Sequence, residues 1–394
     1  MLLVGAAVLI DTAFYAVIAP LLPQLTHELH LSKFGAGVLA AAYPAGMLVA
    51  SIPTGLLAVR VGPRATICAG LALLALSTVA FGLLNTPVAL NIARFVEGAA
   101  GACSWAGGIA WLVESAPPER RGVTIGQAVG AAVGGSMAGP AIGALASVTG
   151  RGGLFAGLAA IALGLAVLTA VFPAGAPSDD VSAGLDAGHD EQRPEPDGVR
   201  TMLPLLYDGE ARVALWLMAL PAITSGLLTV LGSLQLHHLG ASSAQIGVAF
   251  LVAAAFETAV SPVVGRASDR FGRLTPMQVG LALVTVTLAC FTLATSASAL
   301  TVVIVLVATG LATFWAPAMA LVSDAAARLE IEQGHAAALM NLAWAVGQII
   351  GAAGSGGAAK LGGDLVPTLA TAAVCGATFV AVVLLARARP RPSR

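Results

Sequence analysis

The sequence predicts an all-α membrane protein, with twelve transmembrane helices in two pseudo-symmetric six-helix bundles. Three observations carry this reading. Hydrophobic residues make up 58% of the chain and charged residues only 10%, against roughly 25% charged residues in a soluble domain, and the mean hydropathy is +0.90. Apolar runs of about 20 residues, the length needed to cross a bilayer core, recur almost from end to end. Features of the first half also return in the second at a constant offset, as when Gly55, Arg60 and Gly62 recur as Gly265, Arg270 and Gly272.

The opening MLLVGAAVLIDTAFYAVIAPLL has no basic leader and carries Asp11 in its middle, so it is a first span rather than a signal peptide. The chain enters this span at once, which leaves room for a start upstream. Breaking the apolar runs at charged and turn-forming residues places spans at 2–22, 36–58, 65–85, 88–113, 122–147 and 153–172, then at 212–236, 243–265, 275–297, 300–323, 336–359 and 365–386. Between the sixth and seventh lies a segment rich in Asp, Glu, Pro and Gly without apolar period, which is expected to be a flexible linker. The expected organisation is therefore an N-terminal bundle at 1–173, a linker at 174–211, a C-terminal bundle at 212–386 and a tail at 387–394.

Orientation follows from the basic residues. With the N-terminus cytoplasmic, only Lys33, Arg151 and Lys360 lie in connections on the other side and Arg94 lies inside a span; every other Lys or Arg faces the cytoplasm. Both termini are expected there, in a multi-pass protein of the cell membrane. The net charge of −1 offers no field for nucleic acid. Cys68, Cys103, Cys290 and Cys375 sit in apolar runs without metal-ligand spacing and read as packing residues. His27, His30, His237 and His238 gather at the outer ends of the first and seventh spans, where an interfacial role is expected rather than a metal site. No P-loop or Ser/His/Asp set is apparent, so neither ATP-driven transport nor enzyme chemistry is expected, and no cofactor is implied.

A charge at the bilayer centre costs at least about 2.5–3.5 kcal/mol, so those that persist there need a purpose. Well inside the spans stand only Asp11, Arg94, Glu97 and Glu257, on spans one, four and eight. Spans three, six, nine and twelve carry none, as peripheral helices should. Arg94 and Glu97 share a helical face and can pair. Three carboxylates against one arginine favour cations and protons. Tyr15, one turn beyond Asp11, offers an aromatic surface to a cation; Tyr43, Asn341, Trp344 and Gln348 are further candidates for the cavity wall.

The connection pattern G-x-x-x-D-R-x-G-R is intact at Gly265, Asp269, Arg270, Gly272 and Arg273 and degraded at Gly55, Arg60 and Gly62, where Val59 and Pro63 replace its aspartate and final arginine. With twelve spans and an internal repeat, the chain resembles the major facilitator superfamily over essentially its whole length. The resemblance implies that the patterned loops gate the cytoplasmic side. Gly126, Gly135, Gly139, Pro140 and Gly143 follow G-x8-G-x3-G-P-x2-G, the fifth-helix pattern of proton-coupled exporters, with Ala144 replacing a final glycine. Its bare glycine face is expected to meet the opposite bundle at the seam that opens and closes. Arg94 to Gly98 resembles the fourth-helix R-x-x-Q-G pattern associated with proton coupling, with Glu97 in place of glutamine. The stretch from Asp11 resembles the first helix of vesicular amine transporters and drug-exporting relatives, although Asn341 replaces their eleventh-helix acid.

These readings combine into a proton-driven exporter of small, amphipathic, cationic compounds, acting by alternating access and as a monomer in the bilayer. Asp11, Arg94, Glu97 and Glu257 would carry the proton coupling. A carrier for a sugar, an amino-acid derivative or another metabolite, in either direction, is the first alternative, because one fold serves many solutes. A non-transporting sensor or a membrane enzyme is the second.

Overall fold

The computed structural model describes residues 2–116, 121–171, 203–331 and 333–388. Among them it contains helices and no strand. The N-terminal half comprises α1 (Leu2–Glu28), α2 (Lys33–Val61), α3 (Pro63–Leu83), α4 (Pro87–Ser115), α5 (Arg121–Thr149) and α6 (Arg151–Val171). The C-terminal half comprises α7 (Gly209–His238), α8 (Ser243–Phe271), α9 (Leu274–Leu293), α10 (Ala297–Arg328), α11 (Gln333–Gly362) and α12 (Leu365–Ala388). Eleven of these are long and apolar enough to cross a membrane. The other, α4, is 29 residues long and holds Arg94 and Glu97.

Most helices run several residues past the expected span ends, because a 29-residue helix is about 44 Å long and extends beyond a hydrocarbon core of about 30 Å. Two expectations change as a result. The patterned connections after α2 and α8 are largely helical: Gly55 and Arg60, like Gly265, Asp269 and Arg270, lie in the closing turns. Gly62 alone, and Gly272 with Arg273, form the turns, the two glycines with φ of 90° and 88°, a conformation that strains any residue bearing a Cβ. The expected linker also ends sooner than 211. A short helix, Leu203–Tyr207, precedes Asp208, whose side chain caps α7 by accepting from the Ala211 N–H at 2.8 Å. That N–H holds the Asp208 carboxyl below its ordinary range. Most of the linker lies outside the described residues.

The repeat reaches the capping groups. Ser32 and Ser242 cap α2 and α8, and Thr86 and Ser296 cap α4 and α10, each pair at the offset that relates Gly62 to Gly272. Helix irregularities obey it too. The helix of α1 is broken at Val17, three residues before Pro20, which cannot donate to the Ala16 carbonyl. The matching part of α7 is a π-helical segment, Leu228–Gly232. Pro140 in α5 corresponds to Ile350, where α11 adopts its own π segment, Ile350–Gly354.

The halves touch mainly through α5 with α8, α2 with α11, and the second part of α1 with α8. These contacts lie toward the end of the molecule opposite the termini, called here the far end. A Cβ on Gly247 would stand 2.6 Å from the Ala144 Cβ and 2.8 Å from the Pro140 carbonyl oxygen, and one on Gly37 would stand 3.1 Å from the Ala353 Cα. Lys33 and Asp364 form an ion pair of 2.5 Å across the halves there. At the termini end, a Cβ at Gly55, Gly62, Gly265 or Gly272 would meet nothing within 4 Å. The molecule is closed at its far end and splayed at its termini end.

Candidate functional site

A cavity of about 160 Å³ lies between the halves. Spans one, two, five, seven, eight, ten and eleven line it; α3, α6, α9 and α12, uncharged within their spans, contribute nothing, and neither does α4, although it holds Arg94 and Glu97. Its polar wall is made by Tyr15, Ser136, Ser225, Thr229, Glu257 and Gln348, within an otherwise apolar surface. The serine and threonine hydroxyl protons of that wall are already committed: Ser136 donates to the Val133 carbonyl at 2.8 Å, Ser225 to the Ala222 carbonyl at 3.1 Å and Thr229 to the Ser225 carbonyl at 2.9 Å. Gln348 Nε2 donates to Ser225 Oγ at 2.7 Å. The lining therefore presents more acceptors than donors.

Of the expected cavity residues, Tyr15 and Gln348 reach the wall. Asp11, Tyr43, Asn341 and Trp344 do not. Asn341 is exposed on the termini side. Trp344 lies one turn from Gln348 toward the termini and meets the Tyr15 ring edge-on at 5.3 Å, so an aromatic pair joins the two halves at the termini side of the cavity.

Asp11 is buried behind this pair. Tyr43 Oη donates to Asp11 Oδ1 at 2.7 Å, while Oδ2 is buried with no hydrogen-bond partner among the described residues. The Tyr43 and Tyr15 rings are 5.3 Å apart. Helix packing makes this pair possible: Gly46 and Gly98 bring the α2 and α4 backbones together, where a Cβ on either would run into the facing main chain. Gly101 then leaves room for the two side chains, since a Cβ there would stand 2.6 Å from Asp11 Oδ1 and 2.5 Å from Tyr43 Oη.

Arg94 is fully buried on α4. Its Nη1 donates to Glu97 Oε2 at 2.9 Å and to the Phe14 carbonyl at 2.7 Å, and its Nη2 donates to the Tyr15 carbonyl at 3.2 Å. The guanidinium also stands 5.2 Å from the centre of the Tyr43 ring. It thus clamps α1 to α4 beside the break at Val17. The expected pairing with Glu97 is present, and removing one partner of such a buried pair typically costs about 3–5 kcal/mol.

Glu257 lies on the cavity wall and accepts from Trp315 Nε1 at 2.7 Å. Trp315 and Gly101 were not singled out by sequence reasoning. The signal for Trp315 lay in the repeat, because Trp105 occupies the matching place on α4 and packs against Tyr43.

The glycine pattern of α5 requires a correction. Gly135, Gly139 and Gly143 face α1 of the same half, not the opposite bundle. A Cβ on Gly139 would stand 2.5 Å from the Ala16 Cβ and 2.6 Å from the Ala13 carbonyl oxygen, and one on Gly143 would stand 2.6 Å from Pro20 Cγ. The seam with α8 is met by the neighbouring edge, Pro140 and Ala144, whereas a Cβ on Gly126 would meet nothing within 4 Å. Among the gating residues, Asp269 and Arg270 are exposed, and Asp269 makes no hydrogen bond or ion pair among the described residues. Arg273 pairs with Asp324 at the end of α10. No group of three metal-ligating side chains occurs among the described residues, and the four histidines stay near the far end.

Two repeat-related halves of membrane-length helices enclosing a cavity open to one side define a membrane carrier. The sequence profile of the Major Facilitator Superfamily matches residues 4–235 and, in an overlapping second match, 213–394. The chain belongs to the major facilitator superfamily, and it is a secondary transporter of small molecules that works by alternating access. None of the curated proteins matches it. Among solved structures, it is similar to a bacterial homolog of the human lysosomal transporter Spinster in an inward-facing, unoccupied conformation: TM-score 0.78, 14% identity, covering 100% of this chain and 98% of that one. The occupied, inward-facing structure gives 0.76 and 16% over the same shares. Likeness at this identity establishes the fold.

Proposed function

We propose that the protein is a proton-driven exporter of small, amphipathic, cationic compounds across the cell membrane. The observation that carries this reading is a carboxylate on the cavity wall, Glu257, with a second, Asp11, buried one aromatic layer behind it. The acceptor-rich lining favours a cation, and the Tyr15 ring adds a surface on which positive charge is stabilised. The cavity is smaller than the roughly 300–1,000 Å³ of a drug-sized pocket, which favours a small solute.

With both termini in the cytoplasm, the splayed end admits substrate from inside. Rearrangement then opens the far end, where a proton neutralises Asp11 or Glu257 and weakens the hold on the cation. The emptied, protonated carrier returns and releases its proton to the cytoplasm, so one solute leaves as protons enter. Glu257→Gln is expected to flatten the pH dependence of export, measured as solute accumulation in inverted vesicles. A pH profile identical to that of the unmodified protein excludes Glu257 as a proton carrier.

Asp269, unengaged while the termini end is splayed, is the group that pairs when that end closes. Asp269→Asn is therefore expected to reduce transport several-fold, and substitutions at Val59, 80% exposed, to leave it near normal. Equal tolerance at the two positions, in rates normalised to protein inserted, counts against the latch.

A further inference from the structure

Trp315 stands where α10 is interrupted. Its first segment, Ala297–Leu311, ends in a turn, and the second, Trp315–Arg328, begins at the indole-bearing residue. Thr313 Oγ1 donates to the Gly310 carbonyl at 2.8 Å within that turn. Gly280 of α9 packs so closely on it that a Cβ there would stand 2.6 Å from the Gly310 carbonyl oxygen. Pro317 falls in the first turn of the second segment, where a missing N–H costs nothing. The break is thus held from both sides, and it aims the indole N–H across to α8, 2.7 Å from Glu257 Oε1.

We propose that Trp315 is a positioning residue for proton coupling: its indole fixes the Glu257 carboxylate toward the cavity and stabilises its ionised form. This rests on the reading of Glu257 as a proton carrier. A hydrogen bond to an ionised acceptor is roughly twice as strong as one between neutral groups, so a single fixed donor discriminates between the two protonation states. The surroundings leave that donor little competition. From α1 the cavity receives Tyr15; from α5, Ser136 and Pro140; from α7, Ser225 and Thr229; from α10, Ile304, Ala308 and Leu311; from α11, Gln348 and Ala352. Among the described residues no lysine, arginine, histidine or second acid lines it, and α9 brings no acid or base to this depth. Because Trp315 opens the second segment of α10, a change in its bond to Glu257 acts directly on a helix break, the kind of element that bends as a carrier alternates.

The test needs no transported solute. In infrared difference spectra of the purified protein recorded across a pH series, the carboxylic C=O band that disappears in Glu257→Gln belongs to Glu257. In Trp315→Phe, which keeps an aromatic ring and removes the donor, the pH at which this band titrates is expected to rise by about one unit, the equivalent of a tenfold change in proton affinity. Trp315→Leu, a second variant without a donor, should move it the same way, and Trp105→Phe should leave it in place. A merely structural defect admits water, which favours the charged form and moves the titration down. A titration that is unmoved or lowered in both Trp315 variants overturns the proposal while leaving the role of Glu257 intact. If no titrating band is lost in Glu257→Gln, the proton-carrier reading fails, and the role of Trp315 fails with it.

Discussion

Asp11→Asn is expected to reduce gradient-driven accumulation of solute in inverted vesicles, the topological equivalent of export, to the level of empty membranes, with normal insertion and folding. Asparagine is nearly isosteric and its side-chain oxygen can still accept from Tyr43 Oη, so the contact that orients the residue survives. The exchangeable proton does not. The unpartnered Oδ2 becomes an amide that can donate but cannot alternate between charged and neutral states. Substrate exchange without a gradient, which does not require the carboxylate to cycle, should be retained in part. Equal loss of exchange and of driven accumulation would place Asp11 in binding or packing instead.

Gly139→Leu is the second large effect. Its side chain has no space: Ala16 and the Ala13 carbonyl occupy the position of the first carbon. The neighbouring carbonyls of Phe14 and Tyr15 are the ones that Arg94 holds. Forcing α1 away from α5 therefore disturbs the clamp beside Asp11, at an overpacking cost of about 1–3 kcal/mol. Transport should be lost and the melting temperature lowered, although the chain still inserts. Gly126→Leu belongs to the same sequence pattern but projects into open space, and its effect on stability should stay within about 0.5 kcal/mol. Similar behaviour of the two variants would remove the distinction drawn here between a packed and an unpacked glycine.

The contrast between Gly139 and Gly126 shows where sequence reasoning stops. The spans, their pairing by an internal repeat and the four ionisable residues inside them are legible, because hydropathy and burial cost act on single residues. Which face of a span turns inward is not. Helices apolar on every side carry almost no amphipathic signal, so the glycine face of α5 could be assigned to the seam by pattern when it in fact packs on α1. The same blindness hid the room that Gly101 makes for Asp11, and the setting of Asp11 behind Tyr15 and Tyr43 rather than on the cavity wall. Arg94 and Glu97 were easier, because a spacing of three residues on one helix fixes their relation without any knowledge of neighbours. The Trp315 to Glu257 bond joins residues 58 positions apart on two helices, and only the match between Trp105 and Trp315 in the repeat hinted at it.

The central claim is that solute leaves in exchange for protons. Proteoliposomes holding a pH-sensitive dye and loaded with a small amphipathic cation such as phenyltrimethylammonium test it most directly, with no pH gradient imposed at the start. Efflux of the cation should acidify the lumen in step with its release, and Asp11→Asn should abolish that acidification. Cation efflux through the unmodified protein without any change in lumenal pH, or absence of protein-dependent flux across a broad panel of such cations, would contradict the account.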